Sequence, residues 1–130
     1  MMTRAIKLNL DRTFEVFELG DYPHLREVLG AHFDIMWLNG PFRTHPNQVT
    51  VGIAVDDEGL LKDLQMNRLA CSLYGVFGMT DTPIVGTAVV IAGDTFGDDV
   101  DVPDWAVELV TTIKKCTDTA MRYHQNWRMN

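Results

Sequence analysis

Two acidic clusters contain the residues of this chain whose types most directly suggest chemistry. Asp56, Asp57 and Glu58 precede Gly59, and five aspartates lie between residues 94 and 104. Carboxylate oxygens bind Ca²⁺ and Mg²⁺, but neither cluster has the alternating spacing of a calcium-binding loop. We therefore predict no metal site. The first cluster is interpreted as a solvated turn, and the second as an acidic loop that leads into a helix, where carboxylates are favoured.

Nucleophilic catalysis has little support in the sequence. The four histidines lack the spacing of metal ligands, and the glycine-rich and serine motifs of nucleotide-binding proteins and hydrolases are absent from the sequence. Cys71 and Cys116 lie in apolar helical patterns, which favours buried, inert thiols. A distant histidine beside Cys71 would make a nucleophile, so an enzyme is kept as the third hypothesis. We expect no catalytic residue and no cofactor.

Two short segments carry side chains that a purely structural role would not require. Residues 39–48 are rich in glycine, proline and asparagine, which predicts a loop, and this loop contains Phe42, Arg43 and His45. Asn67 suits the N-cap of a helix, and Arg68 would then oppose the helix dipole in the first turn. These five residues are our candidates for contact with a partner or ligand. A plain connecting loop and a simple helix cap are the alternatives.

Composition limits the class of protein. The chain has 130 residues, of which 46% are hydrophobic, and its net charge is −7. This length suits one domain with its own core. The acidic balance argues against nucleic-acid binding, which needs a surface rich in lysine and arginine. The alternating N-terminal segment and the lack of a long apolar run predict neither a secretion signal nor a membrane span, so we expect a cytoplasmic protein.

Apolar periodicity predicts one α+β domain over residues 1–130, with a core at 3–100. We expect a mostly antiparallel sheet of about five strands, at 3–10, 13–19, 33–38, 49–55 and 83–92. The dense apolar run at 33–38 predicts a central strand buried on both faces. Two short helices are predicted, one between Asp21 and Gly30 and one from about 66 to 74. A long C-terminal helix is predicted over 102–128, with Asp101 as its cap.

The predicted C-terminal helix is longer than such a core requires. An apolar stripe recurs along it at steps of three and four residues, at Trp105, Leu109, Ile113, Cys116, Ala120, Tyr123 and Trp127. We predict that the distal part of the stripe, Ala120, Tyr123 and Trp127, contacts a second copy in a homodimer. Packing of the whole helix across its own sheet is the alternative.

The stretch from Val55 to Tyr74, together with the later run PIVGTAVVIAGD, resembles the DUF3846 family. The positions that carry this resemblance are Glu58, Gly59, Leu61, Leu64, Asn67, Ala70, Ile84, Val85, Gly86 and Gly93. The likeness extends over roughly residues 3–104. Asp56 and Asp57 stand where the family often has asparagine, and the long C-terminal helix extends beyond the usual end. The resemblance implies small proteins of unknown function from phages, plasmids and actinobacterial genomes, and it supplies no catalytic residues.

We therefore expect a non-enzymatic accessory protein of a phage or related element, in the host cytoplasm. It would act by binding a host or phage protein, with modulation of host defence as one role. The alternative is a module that sequesters a small molecule or nucleotide, with its site between the sheet and the helix at 66–74 and with Arg68 facing an anion.

Overall fold

Within the part of the chain that the structure describes, six strands form one antiparallel sheet. The computed structural model describes residues 2–30, 32–38, 49–79, 82–94 and 96–128, with side chains as far as residue 122. The strands are β1 (Thr3–Leu8), β2 (Phe14–Leu19), β3 (Phe33–Trp37), β4 (Thr50–Asp56), β5 (Ala88–Gly93) and β6 (Asp99–Val100). Their order across the sheet is β2-β1-β5-β4-β3, and β6 pairs with the end of β5. The α+β fold predicted from the sequence is confirmed.

The sheet is built from two hairpins, β1–β2 and β3–β4, with β5 inserted between them. β5 is the most buried of these strands, as its run of small and β-branched residues requires. The prediction that residues 33–38 form a central strand is wrong, because β3 lies at the edge of the described sheet. Helices cover both faces of the sheet, so even an edge strand carries apolar residues on both sides.

Three helices pack on the sheet: α1 (Tyr22–Leu29), α2 (Arg68–Val76) and α3 (Asp104–Arg128). The predicted caps of α1 are confirmed. The side chain of Asp21 accepts a hydrogen bond from the His24 N–H, and Gly30 adopts the left-handed conformation that ends the helix. α1 lies on one face of the sheet, here called the α1 face, and α2 and α3 cover the opposite face.

The two faces carry separate apolar cores. The core under α1 consists of Ala5, Leu19, Leu25, Ala54, Val89 and Ile91. The larger core under α2 and α3 joins Ile6, Leu8, Ile53 and Val90 of the sheet to Leu69 and Leu73 of α2 and to Ala106, Val110 and Ile113 of α3. Most of the apolar surface buried in folding therefore lies on the α2–α3 side.

The start and the buried face of α3 both differ from the prediction. The helix begins at Asp104, and the Asp101 carboxylate accepts the Arg4 backbone N–H at 2.7 Å, so it anchors β1. Among the side chains of α3 that the structure describes, up to residue 122, the buried ones are Ala106, Val110 and Ile113, so the core face is rotated by about one residue from the predicted stripe. Cys116 and Ala120 are exposed, which corrects the prediction that the Cys116 thiol is buried.

Candidate binding groove

An open groove lies on the α1 face, beside the N-terminus of α1. Its volume is about 310 Å³, and its lining includes Tyr22, Ile35, Trp37, Ile91, Asp94 and Asp99. α1 has only eight residues and is therefore about 12 Å long. A helix this short cannot cover a whole face of the sheet, and the groove occupies the part beyond its first residue.

Trp37 forms one wall of the groove, and a glycine opposite it makes room for the ring. Trp37 pairs in register with Gly52 of β4. A β-carbon at Gly52 would lie 2.8 Å from Trp37 Cε3, and one at Gly93 would lie 3.6 Å from Trp37 Cη2. The indole therefore lies over both glycines while 41% of the residue stays exposed. The lack of a side chain at Gly52 thus lets the Trp37 ring pack closely on β4.

Tyr22, at the first position of α1, also lines the groove. Its ring centroid is 5.6 Å from that of Phe33, and the residue is 56% exposed. The helix start is fixed by the Asp21 cap and by the His24 imidazole, whose Nδ1 accepts the Gly20 N–H at 2.7 Å. Tyr22 is therefore an aromatic side chain on a well-anchored helix end, with most of its surface open to solvent.

Two carboxylates, those of Asp94 and Asp99, also line the groove. Asp94 Oδ1 accepts the N–H groups of Phe96 and Asp98, both at 2.9 Å, and the Asp94 N–H donates to the Asp98 carbonyl. These bonds hold a tight turn after β5 and leave Asp94 Oδ2 without a hydrogen bond within the described structure. Asp99 follows in β6, paired in register with Gly93. The acidic loop predicted here thus contains a short strand, β6, that the sequence did not reveal.

The predicted binding residues fall in three places. Phe42, Arg43 and His45 lie outside the described residues, between Leu38 and Val49. The described residues near either end of that gap, Trp37 and Thr50, both line the groove. A partner role for Phe42, Arg43 and His45 stays a prediction.

Asn67 is fully buried, and its side chain bonds within its own chain. Its Oδ1 accepts the Ala70 N–H at 3.0 Å, which confirms the predicted cap of α2. Its Nδ2 donates to the carbonyl oxygens of Leu8 and Gly86, each at 2.9 Å, and its backbone N–H donates to the Ile84 carbonyl. These contacts tie β1, α2 and the segment before β5 together. Direct contact of Asn67 with a partner stays a prediction, and the geometry gives the side chain a structural role.

Arg68 is exposed on the outer side of α2, and it makes no ion pair with any other described residue. Leu69, Ala70 and Leu73 of the same helix fill the space between α2 and the sheet. The space between α2 and the sheet, where the alternative hypothesis places an anion site, is therefore filled by apolar core residues. The open groove lies on the opposite face of the sheet.

Ala120 is exposed on α3, and Tyr123 and Trp127 belong to the part of that helix whose side chains lie outside the described set. The homodimer contact predicted for these three residues stays a prediction.

The acidic tip after β4 is a turn, as predicted. The Gly59 N–H donates to the Asp56 carbonyl, and Asp56 Oδ1 accepts the Glu58 N–H. Lys62 Nζ lies 2.8 Å from Asp56 Oδ2, and this hydrogen bond lowers the pKa of the Asp56 carboxyl below its ordinary value despite partial burial. The same bond raises the pKa of Lys62. Among the residues placed by the structure, no group of three or more His, Cys, Asp or Glu side chains is arranged to hold a metal ion.

Cys71 does not face a catalytic partner within the described part of the chain. Its Sγ lies 3.3 Å from the Ile84 backbone nitrogen and 3.4 Å from the Ile84 carbonyl oxygen, so it bonds to the backbone. The His24 Nδ1 is occupied by the Gly20 N–H. The arrangement that would make Cys71 a nucleophile, with a histidine hydrogen-bonded to its sulfur, is not formed by these residues.

The groove residues were missed by sequence reasoning for an identifiable reason. The sequence pattern places Trp37 in a buried central strand, and it places Asp94 and Asp99 in a loop that leads into a helix. A usable signal was present in the paired strands, where the small residues Gly52 and Gly93 neighbour an aromatic residue. That signal depends on knowing the strand order and register.

Comparison with known proteins gives one family. Residues 2–115 match the family described as a domain of unknown function (DUF3846). No curated protein and no solved structure matches the chain. In the helices that the structure describes, no segment is both long enough and apolar enough to cross a bilayer. The matched segment contains the described sheet, both short helices and the buried part of α3. Because the match extends over most of the 130 residues, the chain belongs to the DUF3846 family.

Proposed function

We propose that this is a non-enzymatic binding protein whose groove on the α1 face holds a segment of a protein partner. The observation that carries the proposal is the pairing of two exposed aromatic walls, Trp37 and Tyr22, with an apolar floor at Ile35 and Ile91. Tryptophan and tyrosine are enriched among the residues that dominate binding energy at protein interfaces. Exposed aromatics that border a concavity, rather than scattered singly, are typical of a binding surface.

The sheet edge is a less favourable docking surface than the groove. In an antiparallel pair, every second residue of a strand hydrogen-bonds to its neighbour. The Leu38 N–H donates to the Val51 carbonyl, so the even-numbered residues of this strand bond to β4. The N–H and C=O groups of the odd-numbered residues of β3 therefore point away from the sheet. The Asp34 carboxylate accepts the outward Ile35 N–H at 2.9 Å. A capped N–H and a charged side chain both oppose the addition of a strand from another protein. The side chains of the groove are therefore a more favourable contact surface for a protein partner than the outward backbone groups of β3.

Sequestration of a nucleotide is the second candidate, and charge disfavours it at this site. Asp94 and Asp99 border the groove, and a phosphate placed there would meet two carboxylates. Arg68, the cation that suggested an anion site, is on α2 and hence on the other face of the sheet.

The biological setting is also a proposal. We propose an accessory role in a phage or other mobile element, in the host cytoplasm, with a host or phage protein as the partner and host defence as one process it would modulate. Homodimerisation through the distal half of α3 is supported by the length of that helix, 25 residues, and by the absence of core residues between Ile113 and residue 122. Light scattering should then give a dimer for the whole chain and a monomer for a chain that ends at residue 122. A monomer for both would refute the dimer.

The test of the groove is direct binding of a purified partner. Candidates captured from host or phage lysate are expressed, and their affinity is measured by calorimetry for wild type, Trp37→Ala and Tyr22→Ala. We expect each change to weaken binding at least about tenfold, since truncation of a central aromatic residue typically costs more than about 1.4 kcal/mol. Leu61→Ala is the matched control, because Leu61 is 88% exposed and follows the other end of β4.

Leu61→Ala should bind within about twofold of wild type. Circular dichroism and melting curves confirm that each variant is folded. The proposal fails if no purified partner binds wild type, or if both groove variants bind as wild type does.

A further inference from the structure

The charges around the groove point to the chemistry of the partner segment. We propose that the groove recognises a lysine or arginine side chain, presented by the partner beside an apolar residue. This inference rests on the proposed function, since it names the chemistry that the same groove would bind.

The first argument is the lack of neutralisation at the groove. Four acidic side chains elsewhere in the described structure have basic partners: Asp56 pairs with Lys62, Asp104 with Arg4, Glu15 with Lys7, and Asp118 with Lys114 and Arg12. Asp94, Asp98 and Asp99 are close in sequence around the end of the groove, and none of them forms an ion pair with a described lysine or arginine. Among the described residues, no lysine or arginine is therefore paired with the carboxylates at this end of the groove.

The second argument is the nature of the groove walls. A cation near the face of a tryptophan or tyrosine ring is attracted by the electrons of the ring. Trp37 and Tyr22 both expose large parts of their side chains in the groove that Asp94 and Asp99 also line. Lysine and arginine carry long apolar stems, and Ile35 and Ile91 offer an apolar surface for such a stem. In such a complex the aromatic rings and the carboxylates would contact the cation, and the two isoleucines would contact the apolar stem.

The third argument is size and overall charge. A volume of about 310 Å³ is at the small end of the range for ligand sites, which suits one or two side chains of a peptide segment. The chain carries a net charge of −7, so a basic segment is also attracted at long range. A nucleic acid is disfavoured by the same charge.

The experiment is selection of a random 12-residue peptide library displayed against the immobilised protein, in 50 mM and in 500 mM NaCl. We expect the selected peptides to contain lysine and arginine at about three times their frequency in the library, next to an aromatic or aliphatic residue. Individual peptides should bind at least about tenfold more weakly to Trp37→Ala. Raising the salt should weaken their binding to wild type, because exposed charges are screened over a few ångströms at high ionic strength.

The charge variants separate recognition of a cation from general attraction. Asp94→Asn/Asp99→Asn should weaken the selected peptides about tenfold or more and flatten the salt dependence. Asparagine at position 94 keeps the Oδ1 acceptor on which the turn depends. Asp57→Asn/Glu58→Gln removes two charges at the distant turn after β4, and it should change the affinity by less than about twofold.

Two results would overturn the inference and leave the proposed function standing. One is selection of peptides that lack basic residues but still require Trp37, and the other is an equal loss of affinity in the two charge variants. Displacement of the peptides by micromolar free lysine or spermidine would overturn both, because it would assign the groove to a small cation. Failure to select any peptide that depends on Trp37 would count against the proposed function as well.

Discussion

Replacement of Asn67 by alanine should destabilise the protein far more than loss of a surface hydrogen bond. Asn67 is fully buried, and its side chain makes three hydrogen bonds, to the N–H of Ala70 and to the carbonyls of Leu8 and Gly86. Alanine removes the cap of α2 and leaves both carbonyls without this donor. The three partners lie in different parts of the chain, so one substitution loosens three elements.

The magnitude follows from these bonds. Loss of an asparagine N-cap costs about 1 kcal/mol. Each buried carbonyl that loses a partner adds about 1 kcal/mol or more. The free energy of unfolding should therefore fall by about 3 kcal/mol, and the melting temperature by about 10 °C for a domain of this size. Asn9→Ala is the matched control, because the Asn9 side chain makes a single exposed bond to Thr13, and its loss should cost less than about 1 kcal/mol.

Asn67→Asp separates the cap from the two carbonyl contacts. Aspartate keeps the acceptor for the Ala70 N–H but places a carboxylate oxygen against the Leu8 and Gly86 carbonyls. That contact raises the pKa of the new carboxyl in the folded state above its unfolded value. The folded state then binds the proton more tightly, so the stability of this variant should fall as pH rises from about 4 to 7, relative to wild type.

The measurement is urea denaturation of wild type, Asn67→Ala, Asn67→Asp and Asn9→Ala at pH 4 and pH 7. A loss below about 1 kcal/mol for Asn67→Ala would refute the argument, because it would mean that water replaces the lost bonds at little cost. Equal deficits for Asn67→Asp at both pH values would show that the carbonyls do not determine its ionisation.

Two further predictions concern the groove wall and the acidic turn. Gly52→Ala should lower the free energy of unfolding by about 1–3 kcal/mol in thermal melts, because the new β-carbon would lie 2.8 Å from Trp37 Cε3. Gly75→Ala is the control: its new β-carbon would meet nothing within 4 Å, so this change should be neutral or stabilising. Equal effects of the two substitutions would contradict the steric explanation. Lys62→Met should remove stability that is present between the ordinary pKa values of the pair, 3.8 and 10.5, because the pKa of Asp56 is lowered and that of Lys62 is raised in the folded protein. In urea titrations its deficit should be largest near pH 7 and shrink as pH falls through the folded pKa of Asp56 or rises through that of Lys62, and a deficit independent of pH would rule out the ion pair as its cause.

Local signals in the sequence predicted elements well, and long-range relations escaped them. Asp21, Gly30 and Asn67 each mark a helix end by chemistry that acts within four residues, and all three were assigned correctly. The two carbonyls that Asn67 binds were not foreseen, since Leu8 lies 59 residues away in the chain. The edge position of β3 was missed because apolar density reports burial by helices as well as position in the sheet.

The groove was beyond sequence reasoning for a related reason. It exists because α1 is shorter than the face it covers and because the register of the β3–β4 hairpin sets Trp37 against Gly52. Neither fact can be read from composition. The strand β6 has only two residues, and it lies in a stretch rich in aspartate, which strands disfavour. Its pairing with β5 places Asp99 at the groove. The acidic stretch therefore lines the groove, which the spacing of its aspartates did not indicate.

The C-terminal end of the segment matched by the family lies close to the C-terminal end of the described core. The match to DUF3846 ends at residue 115, and the last buried core residue described on α3 is Ile113. The groove lies wholly within the matched segment, on the face opposite α3. Since few contacts of the core extend past Ile113, the distal half of α3 contributes little to the stability of the sheet. Recognition at the groove and any association through the end of α3 are therefore physically separable, and changes at one should leave the other intact.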